Sequence, residues 1–289
     1  MEENSNLMKF FRYLGFDSIA WSLRRIHCPV NKSDLVLEVG SGGSPYSRSN
    51  ILCDPYEETS ERHYSPLISD RPIVIAFAEE LPFKDDTFDF VIASHVLEHS
   101  NNPQKFLSEM ERVAKAGYIE VPDGFMERLT AYPFHKLEIT KRENQLLIRK
   151  KKGPIHDDQT VTLFRNKAQN IFPYWAKKFP FHFHVRYYWS KETGGISYKI
   201  VNPTTKLNWS WKETPIDDYL NKKTSLLIQL KKFSLKIHRY LFSQKKVNRK
   251  INFLDLLKCP SCHSENFKKT TKNIICEDCN KEYKYKSGI

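Results

Sequence analysis

The sequence predicts a doubly wound α/β fold. Short apolar runs alternate with helix-patterned stretches from residue 35 to residue 121, a glycine-rich turn closes the first run, and an acid closes the second. Such alternation builds a largely parallel sheet, because parallel neighbours need a crossover between them.

Leu7, Phe10, Phe11, Leu14, Ile19, Leu23 and Ile26 recur at helical spacing, so residues 7–27 are expected as a helix. Leu35-Val36-Leu37-Glu38-Val39 reads as a buried parallel strand, and Gly40-Ser41-Gly42-Gly43 as a tight turn at its carboxyl end. Open α/β sheets bind ligands at that end, and glycine lets a ligand approach the backbone. Ile51-Leu52-Cys53-Asp54 is a second strand ending in a carboxylate that can accept both hydroxyls of a ribose. A third strand over Ile73–Ala76 leads into the loop Ala78-Glu79-Glu80-Leu81-Pro82-Phe83. The fourth runs through Phe90–Ala93 to the polar exit Ser94-His95-Val96-Leu97-Glu98-His99. Gln104–Ala114 is an amphipathic helix and Gly117–Val121 a fifth strand. Only Ser44–Asn50 separates the glycine turn from the second strand, too few residues for a crossover helix. A nicotinamide-binding unit would want a third glycine near Pro45 and an acid about 20 residues on, whereas Asp54 follows Gly40 by 14.

The stretch Leu35–Val121 resembles class I S-adenosylmethionine (SAM)-dependent methyltransferases of the small-molecule type related to quinone biosynthesis. Glu38-Val39-Gly40-Ser41-Gly42-Gly43, Glu79-Glu80-Leu81-Pro82-Phe83 and Ser94-His95-Val96-Leu97-Glu98-His99, with Pro103 behind, carry the likeness. It implies a Rossmann-like sheet and SAM as cofactor. It also implies that Glu38, Gly40, Ser41 and Gly42 line the methionine part, Asp54 the ribose, and Ala78 and Glu79 the adenine. Ser94 and His95 would lie beside the sulfonium. Phe77 stands where that family often has an acid near the adenine amino group, which leaves adenine recognition to backbone groups and Glu79.

Methyl transfer from an activated sulfonium asks the protein to position the acceptor and remove a proton. His95 and Asp123, which follow the fourth and fifth strands, are the candidate catalytic residues, with His99 and His135 as further candidate bases. Base-amino methyltransferases usually carry an Asn/Asp-Pro-Pro-aromatic motif where this chain has Ser94-His95-Val96-Leu97, and neither Cys28 nor Cys53 lies where a cytosine-C5 nucleophile belongs. An oxygen acceptor on a small molecule or glycan is the default, by analogy.

Residues 124–215 are aromatic and read as a β-rich lid that selects the acceptor. Leu137–Thr140 and Gln145–Ile148 suggest a hairpin around Glu143-Asn144. Phe181–Tyr187 alternates as a strand whose polar face would present His182, His184 and Arg186 to an acidic acceptor or a metal. Trp189, Trp209 and Trp211 fit either stacking on a ligand or a core. Residues 216–243 carry a helical apolar stripe, and from Tyr219 to Leu254 there are Lys and Arg but no acid. A helix packed on its own domain, an interfacial membrane helix or a phosphate-binding arm would each fit.

At the C-terminus Cys259-Pro260-Ser261-Cys262 and Cys276-Glu277-Asp278-Cys279 are two Cys-x-x-Cys knuckles, the spacing of a closed four-thiolate zinc site with a structural role. Phe253–Ile289 also resembles the small zinc-ribbon activator proteins that pair with tRNA, ribosomal RNA and release-factor methyltransferases, through Leu256-Leu257, the four cysteines, Tyr283 and Gly288-Ile289.

The formal charge is +12 over 289 residues, with an excess of acids before residue 126 and of bases after it. The acidic part suits a cationic cofactor; the basic part suits phosphate, RNA, an acidic glycan or an anionic membrane. The polar, acidic start is unlike a secretory signal, and a cytoplasmic location is expected. The expected divisions are a SAM-binding core over 1–123, the lid over 124–215, a basic helix and linker over 216–250 and the ribbon over 251–289. The expected function is methyl transfer to a small-molecule or glycan acceptor. The alternatives are an RNA or translation-factor methyltransferase and a SAM-binding or zinc-ribbon interaction module that has lost methylation activity.

Overall fold

The computed structural model describes residues 3–62, 64–155, 157–211 and 245–286, together with Phe233, Ile237 and Leu241. The chain forms two compact units. The first comprises Met1–Asn31, Ala93–Glu111 and Lys115–Trp211; the second comprises Lys32–Ile92, Arg112–Ala114 and Lys212–Ile289. The apolar stripe expected over 216–243 lies mostly outside the described residues; Phe233, Ile237 and Leu241 are exposed. Among the described residues no helix is long and apolar enough to cross a membrane.

In the second unit, β1 (Val36–Val39) pairs in parallel with β2 (Ile51–Asp54), and β2 with β3 (Ile73–Ile75), with Leu37 opposite Ile51 and Leu52 opposite Ile73. Every residue of β1 and β2 is buried, which is why both read as apolar runs, broken only by Glu38 and Asp54, rather than as alternating ones. β4 (Phe90–Ser94) begins in this unit and ends in the other.

No helix joins β1 to β2, as the short spacer requires. The loop that replaces it is held by a buried guanidinium. Arg71, 1% exposed, donates to the carbonyls of Tyr46 (2.9 Å) and Ser49 (2.7 Å) and pairs with Asp70 at 2.8 Å. Asn50 closes the loop on β1, its Oδ1 accepting the Val36 N–H at 2.9 Å.

The cysteine-bearing segment belongs to the same unit. β10 (Phe267–Lys269), β11 (Asn273–Cys276) and β12 (Glu282–Lys286) form an antiparallel meander, and β12 adds antiparallel to the outer edge of β3, Tyr285 opposite Val74. An open β3 edge would leave backbone donors and acceptors unpaired, a template for aggregation. Phe83 bridges to Leu257, and Phe253 packs on Phe83 and Tyr285 with centroids 6.2 and 4.7 Å apart. Lys284 and Lys286 each reach Glu57 at 2.8 Å.

In the first unit, β5 (Ala116–Pro122) pairs antiparallel with β8 (His184–Ser190), and β6 (Leu137–Arg142), β7 (Gln145–Lys150) and β9 (Tyr198–Ile200) form a small second sheet. The β6–β7 hairpin turns at Glu143-Asn144 as the sequence suggests, with Glu143 at φ +55°. α3 (Pro103–Val113) is the expected amphipathic helix.

Two local expectations fail. Residues 7–27 are not one helix but α1 (Asn6–Tyr13) and α2 (Asp17–Leu23), broken where Gly15 takes φ +77°. Met8 and Ala20 are buried, while Leu7, Phe10, Leu14 and Ile19 are 44–54% exposed, so the apolar stripe is not the packed face. The strand expected from Phe181 begins only at His184, because Pro180 opens a helical turn, Pro180–Phe183. β8 is covered on both faces, so Arg186 is not on an exposed polar face. It is 8% exposed and donates to the Glu3 carbonyl (2.6 Å), Asn4 (2.7 Å) and the hydroxyls of Tyr118 and Tyr188.

Replacing Arg71 by leucine should leave the Tyr46 and Ser49 carbonyls buried without donors. Two charge-assisted bonds are lost, so unfolding free energy should fall by roughly 3 kcal/mol. Arg71→Lys should restore part of it, and urea denaturation of the two variants checks the order.

Candidate functional site

The carboxyl ends of β1 and β2 carry the expected ligand-facing residues of the second unit. Gly40 and Gly42 adopt φ +65° and +54°, a region open to glycine at little cost. A Cβ on Gly42 would also meet Arg62 Cδ at 3.2 Å. The turn is pinned from below, Gly40 and Ser41 donating to the Cys53 carbonyl at 2.8 and 3.2 Å. The Ser41 hydroxyl is buried with no hydrogen-bond partner among the described residues, a polar atom left available to a ligand.

Asp54 is 4% exposed and accepts the N–H groups of Gly42 (2.9 Å) and Tyr56 (3.1 Å) and the Arg62 guanidinium (3.1 Å). Burial pushes its carboxyl above the usual range, against these bonds, which act to lower it. Arg62 was not legible in the sequence as a site residue; it meets Asp54 through a turn eight positions on. Glu38 is 2% exposed and committed to the Tyr46 N–H at 2.8 Å and to the Ser49 hydroxyl, so it shapes the short loop after the glycine turn. Ala78 is buried and Glu79 half-buried. Phe77, 53% exposed, meets Tyr56 edge-on at 5.7 Å, which puts two accessible rings on the residues that follow β2 and β3. Cys53 is fully buried, and burial together with Asp54 pushes its thiol far up, which makes it inert as a nucleophile.

In the first unit the exit of β4 gathers around Glu120. This carboxylate is fully buried and accepts from Arg24 Nε (2.7 Å) and Nη2 (3.0 Å), the Tyr118 hydroxyl (2.5 Å) and the Ser94 hydroxyl (3.1 Å). It is held well below the ordinary carboxylate range, since His95 and Arg24 outweigh the desolvation that would raise it. His95 lies between two acids, Nε2 3.3 Å from Glu120 and Nδ1 3.4 Å from Glu98. Desolvation acts to lower its pKa, but the neighbouring carboxylates of Glu120 and Glu98 prevail and raise it to about 9. The ring is therefore an imidazolium at neutral pH. Its backbone sits at φ +59°, a strained value for a residue with a Cβ, held by its N–H on the Glu120 carbonyl at 2.7 Å. His184, 5.5 Å from the His95 ring, has its pKa lowered by burial and by that charge.

Asp123 caps α4 (Gly124–Thr130), accepting the Phe125 N–H at 2.8 Å and the Thr140 hydroxyl at 2.7 Å. It lines a pocket of about 390 Å³ with Phe125, Arg128, Glu138, Ile139 and Arg149. No hydrogen bond or ion pair joins Asp123 to His95 among the described residues. Of the tryptophans, Trp189 is core at 2% exposure, Trp209 covers the Lys136 ammonium at 3.8 Å, and Trp211 packs on Phe134.

The four C-terminal cysteines converge as their spacing requires. Their sulfurs lie within 4.8 Å of one another, with Cys259–Cys279 at 3.5 Å and Cys262–Cys276 at 3.4 Å.

Glu120→Gln should destabilise the chain by roughly 3 kcal/mol at pH 7, because Arg24 keeps its charge and loses its counter-ion. The folded pKa of Glu120 is depressed, so its contribution is complete above about 4.3, the unfolded value, and disappears as pH falls through the folded value. Urea midpoints of wild type and variant should differ at pH 7, and the difference should shrink as pH falls below about 4.

Residues 37–119 match the family model of the methyltransferase domain. An uncharacterised protein of Methanocaldococcus jannaschii is 49% identical over 45 residues, 16% of this chain and 22% of that protein. An uncharacterised methyltransferase of Mycobacterium tuberculosis is 30% identical over 132 residues, 41% of this chain and 51% of its own. A chain of the solved complex between the Haloferax volcanii Trm112 methyltransferase activator and a methyltransferase aligns at 17% identity with a TM-score of 0.32, covering 48% of this chain and 75% of that one. The chain spans about half the length, or less, of the curated relatives it matches. Residues 37–119, under a third of the chain, are thus similar to the methyltransferase domain.

Proposed function

We propose that this protein transfers a methyl group from SAM to an oxygen of a small-molecule or glycan acceptor. The observation that carries the reading is the left-handed Gly40–Gly42 turn with its unsatisfied, buried Ser41 hydroxyl beside the buried Asp54 carboxylate, inside the matched domain. The Gly40–Gly42 backbone and Ser41 bind the amino-acid part of SAM, and Glu38 holds that loop in shape. Asp54 receives the ribose hydroxyls, sharing its oxygens with Arg62. Ala78 and Glu79 meet the adenine, and Phe77 and Tyr56 supply ring faces in place of an acid. When bound, SAM supplies an activated methyl group.

On the acceptor side, the pocket lined by Asp123, Phe125, Arg128 and Arg149 offers apolar surface with polar groups at its wall, the mixture a hydroxylated acceptor needs. Asp123, on this reading, takes the acceptor's proton there. His95, charged, acts with Ser94 as a donor that orients polar groups rather than as a base. The missing Pro-Pro-aromatic motif after β4 supports oxygen over base-amino acceptors.

The cysteine cluster is read as a structural zinc site. Bonds of about 2.3 Å in a tetrahedron place sulfurs about 3.8 Å apart, close to the spacings found here. Cys259, Cys262, Cys276 and Cys279 would hold the ion, and its role is to keep the knuckles folded so that β12 stays on β3. A second reading, methylation of RNA or a translation factor, draws on the activator-like ribbon and on Lys245, Lys246, Arg249 and Lys250 beside it. A membrane surface as partner rests on the 216–243 stripe.

Calorimetry should show SAM binding that Asp54→Asn weakens roughly 10–100-fold, the worth of one or two charge-assisted hydrogen bonds. No SAM binding by the wild type would end the proposal. Total tRNA titrated at two salt concentrations separates the readings, since phosphate binding weakens steeply with salt. Removing zinc by chelation, or by Cys276→Ser, should lower the melting temperature of the whole chain by several degrees, because β12 covers β3; an unchanged melting temperature would refute the structural role.

A further inference from the structure

A second cluster of metal-ligating side chains lies in the first unit. The single turn Leu97–His99 after β4 carries Glu98 and His99, and His135 precedes β6. The Lys136 N–H bonds to the Glu98 carbonyl at 2.7 Å and fixes the two segments together. One ligand atom from each of Glu98, His99 and His135 lies within 4.8 Å of the others. Metal–ligand bonds of about 2.0–2.2 Å allow ligand atoms at most about 4.3 Å apart, so closure needs shifts of a few tenths of an ångström.

Two features point to a cation. Glu98 is 2% exposed, and neither of its oxygens receives a hydrogen bond among the described residues. His95 stands 3.4 Å from Oε1 as an ion pair and leaves Oε2 unserved. A buried carboxylate in that state is costly unless a positive charge completes it. The second feature is the support of His135. Its Nδ1 bonds to Glu127 Oε2 at 2.5 Å, and Glu127 Oε1 is neutralised by Lys151 Nζ at 2.7 Å, all three side chains being 2–7% exposed. A carboxylate on one ring nitrogen fixes the tautomer and presents the lone pair of the other, the arrangement that metal-binding histidines use. His99 is held by stacking on Phe134, 5.5 Å between centroids and 3° between planes, and lies edge-on to His135 at 4.8 Å.

We propose that Glu98, His99 and His135 form a second metal centre that takes a divalent transition ion through two imidazole nitrogens and one carboxylate. Nitrogen and oxygen donors select Mn(II), Fe(II), Co(II) or Zn(II), unlike the thiolates of the C-terminal cluster. Three protein ligands leave positions open to water or to an oxygen of the acceptor. That use of the open positions rests on the methyl-transfer reading; the metal centre does not.

The test uses the full chain with its cysteine cluster first saturated with one equivalent of zinc. Co(II) and Mn(II) are then titrated, with metal content measured after gel filtration and the visible spectrum of the cobalt sample recorded. The expected result is one further equivalent, with a cobalt spectrum free of thiolate charge-transfer bands. Glu98→Gln, nearly isosteric, and His135→Ala should weaken that equivalent at least 10-fold and leave the zinc in place, with circular dichroism confirming the fold. The proposal is overturned if no second equivalent binds at millimolar metal, or if it persists unchanged in Glu98→Gln. SAM calorimetry on the same samples keeps the two readings apart. SAM binding without a second ion removes the metal centre alone, and a second ion without SAM binding removes methyl transfer alone.

Discussion

Buried carboxylates at the strand ends set the shape of everything attached to them. Glu38 on β1, Asp54 at the end of β2 and Glu120 on β5 are each less than 5% exposed. A charge in that position is tolerable only with hydrogen-bond donors around it. The chain supplies them from the connecting segments: Tyr46 and Ser49 for Glu38; Gly42, Tyr56 and Arg62 for Asp54; Arg24, Tyr118, Ser94 and His95 for Glu120. The loops are folded so that their donors serve these acids.

The same logic explains the shortened connection between β1 and β2. A helix would have satisfied its own backbone. Seven residues cannot, so Arg71 reaches in from the start of β3 and donates to two loop carbonyls. Losing a helix leaves less to shield the sheet, and the second unit compensates at its edge by recruiting β12 onto β3. The C-terminal meander thereby becomes part of the sheet that carries the glycine turn.

Charge also decides which residues can do chemistry. His95 looks like a general base by position, yet two acids keep it protonated, and the strained backbone that places it there is held by Glu120. Under the methyl-transfer proposal, proton removal is therefore assigned to Asp123 beside its pocket.

The sequence by itself determined the buried strands, the glycine turn, the missing crossover helix and the four-cysteine cluster. Each depends on local burial or on spacing along the chain, which periodicity and residue type report directly. It misjudged α1 and α2 because an apolar stripe says that a helix is amphipathic, not which face is packed, and Gly15 breaks the run. It misjudged β8 because alternation over Phe181–Tyr187 suggested one covered face, whereas Glu3, Asn4, Tyr118 and Tyr188 close over Arg186 as well. Only the tertiary structure could bring Arg24 to Glu120, 96 positions away, or β12 to β3, or Glu127 to the ring of His135. Those contacts join segments whose own patterns carry no mark of the partner, because a buried charge is satisfied by geometry and not by neighbours in sequence.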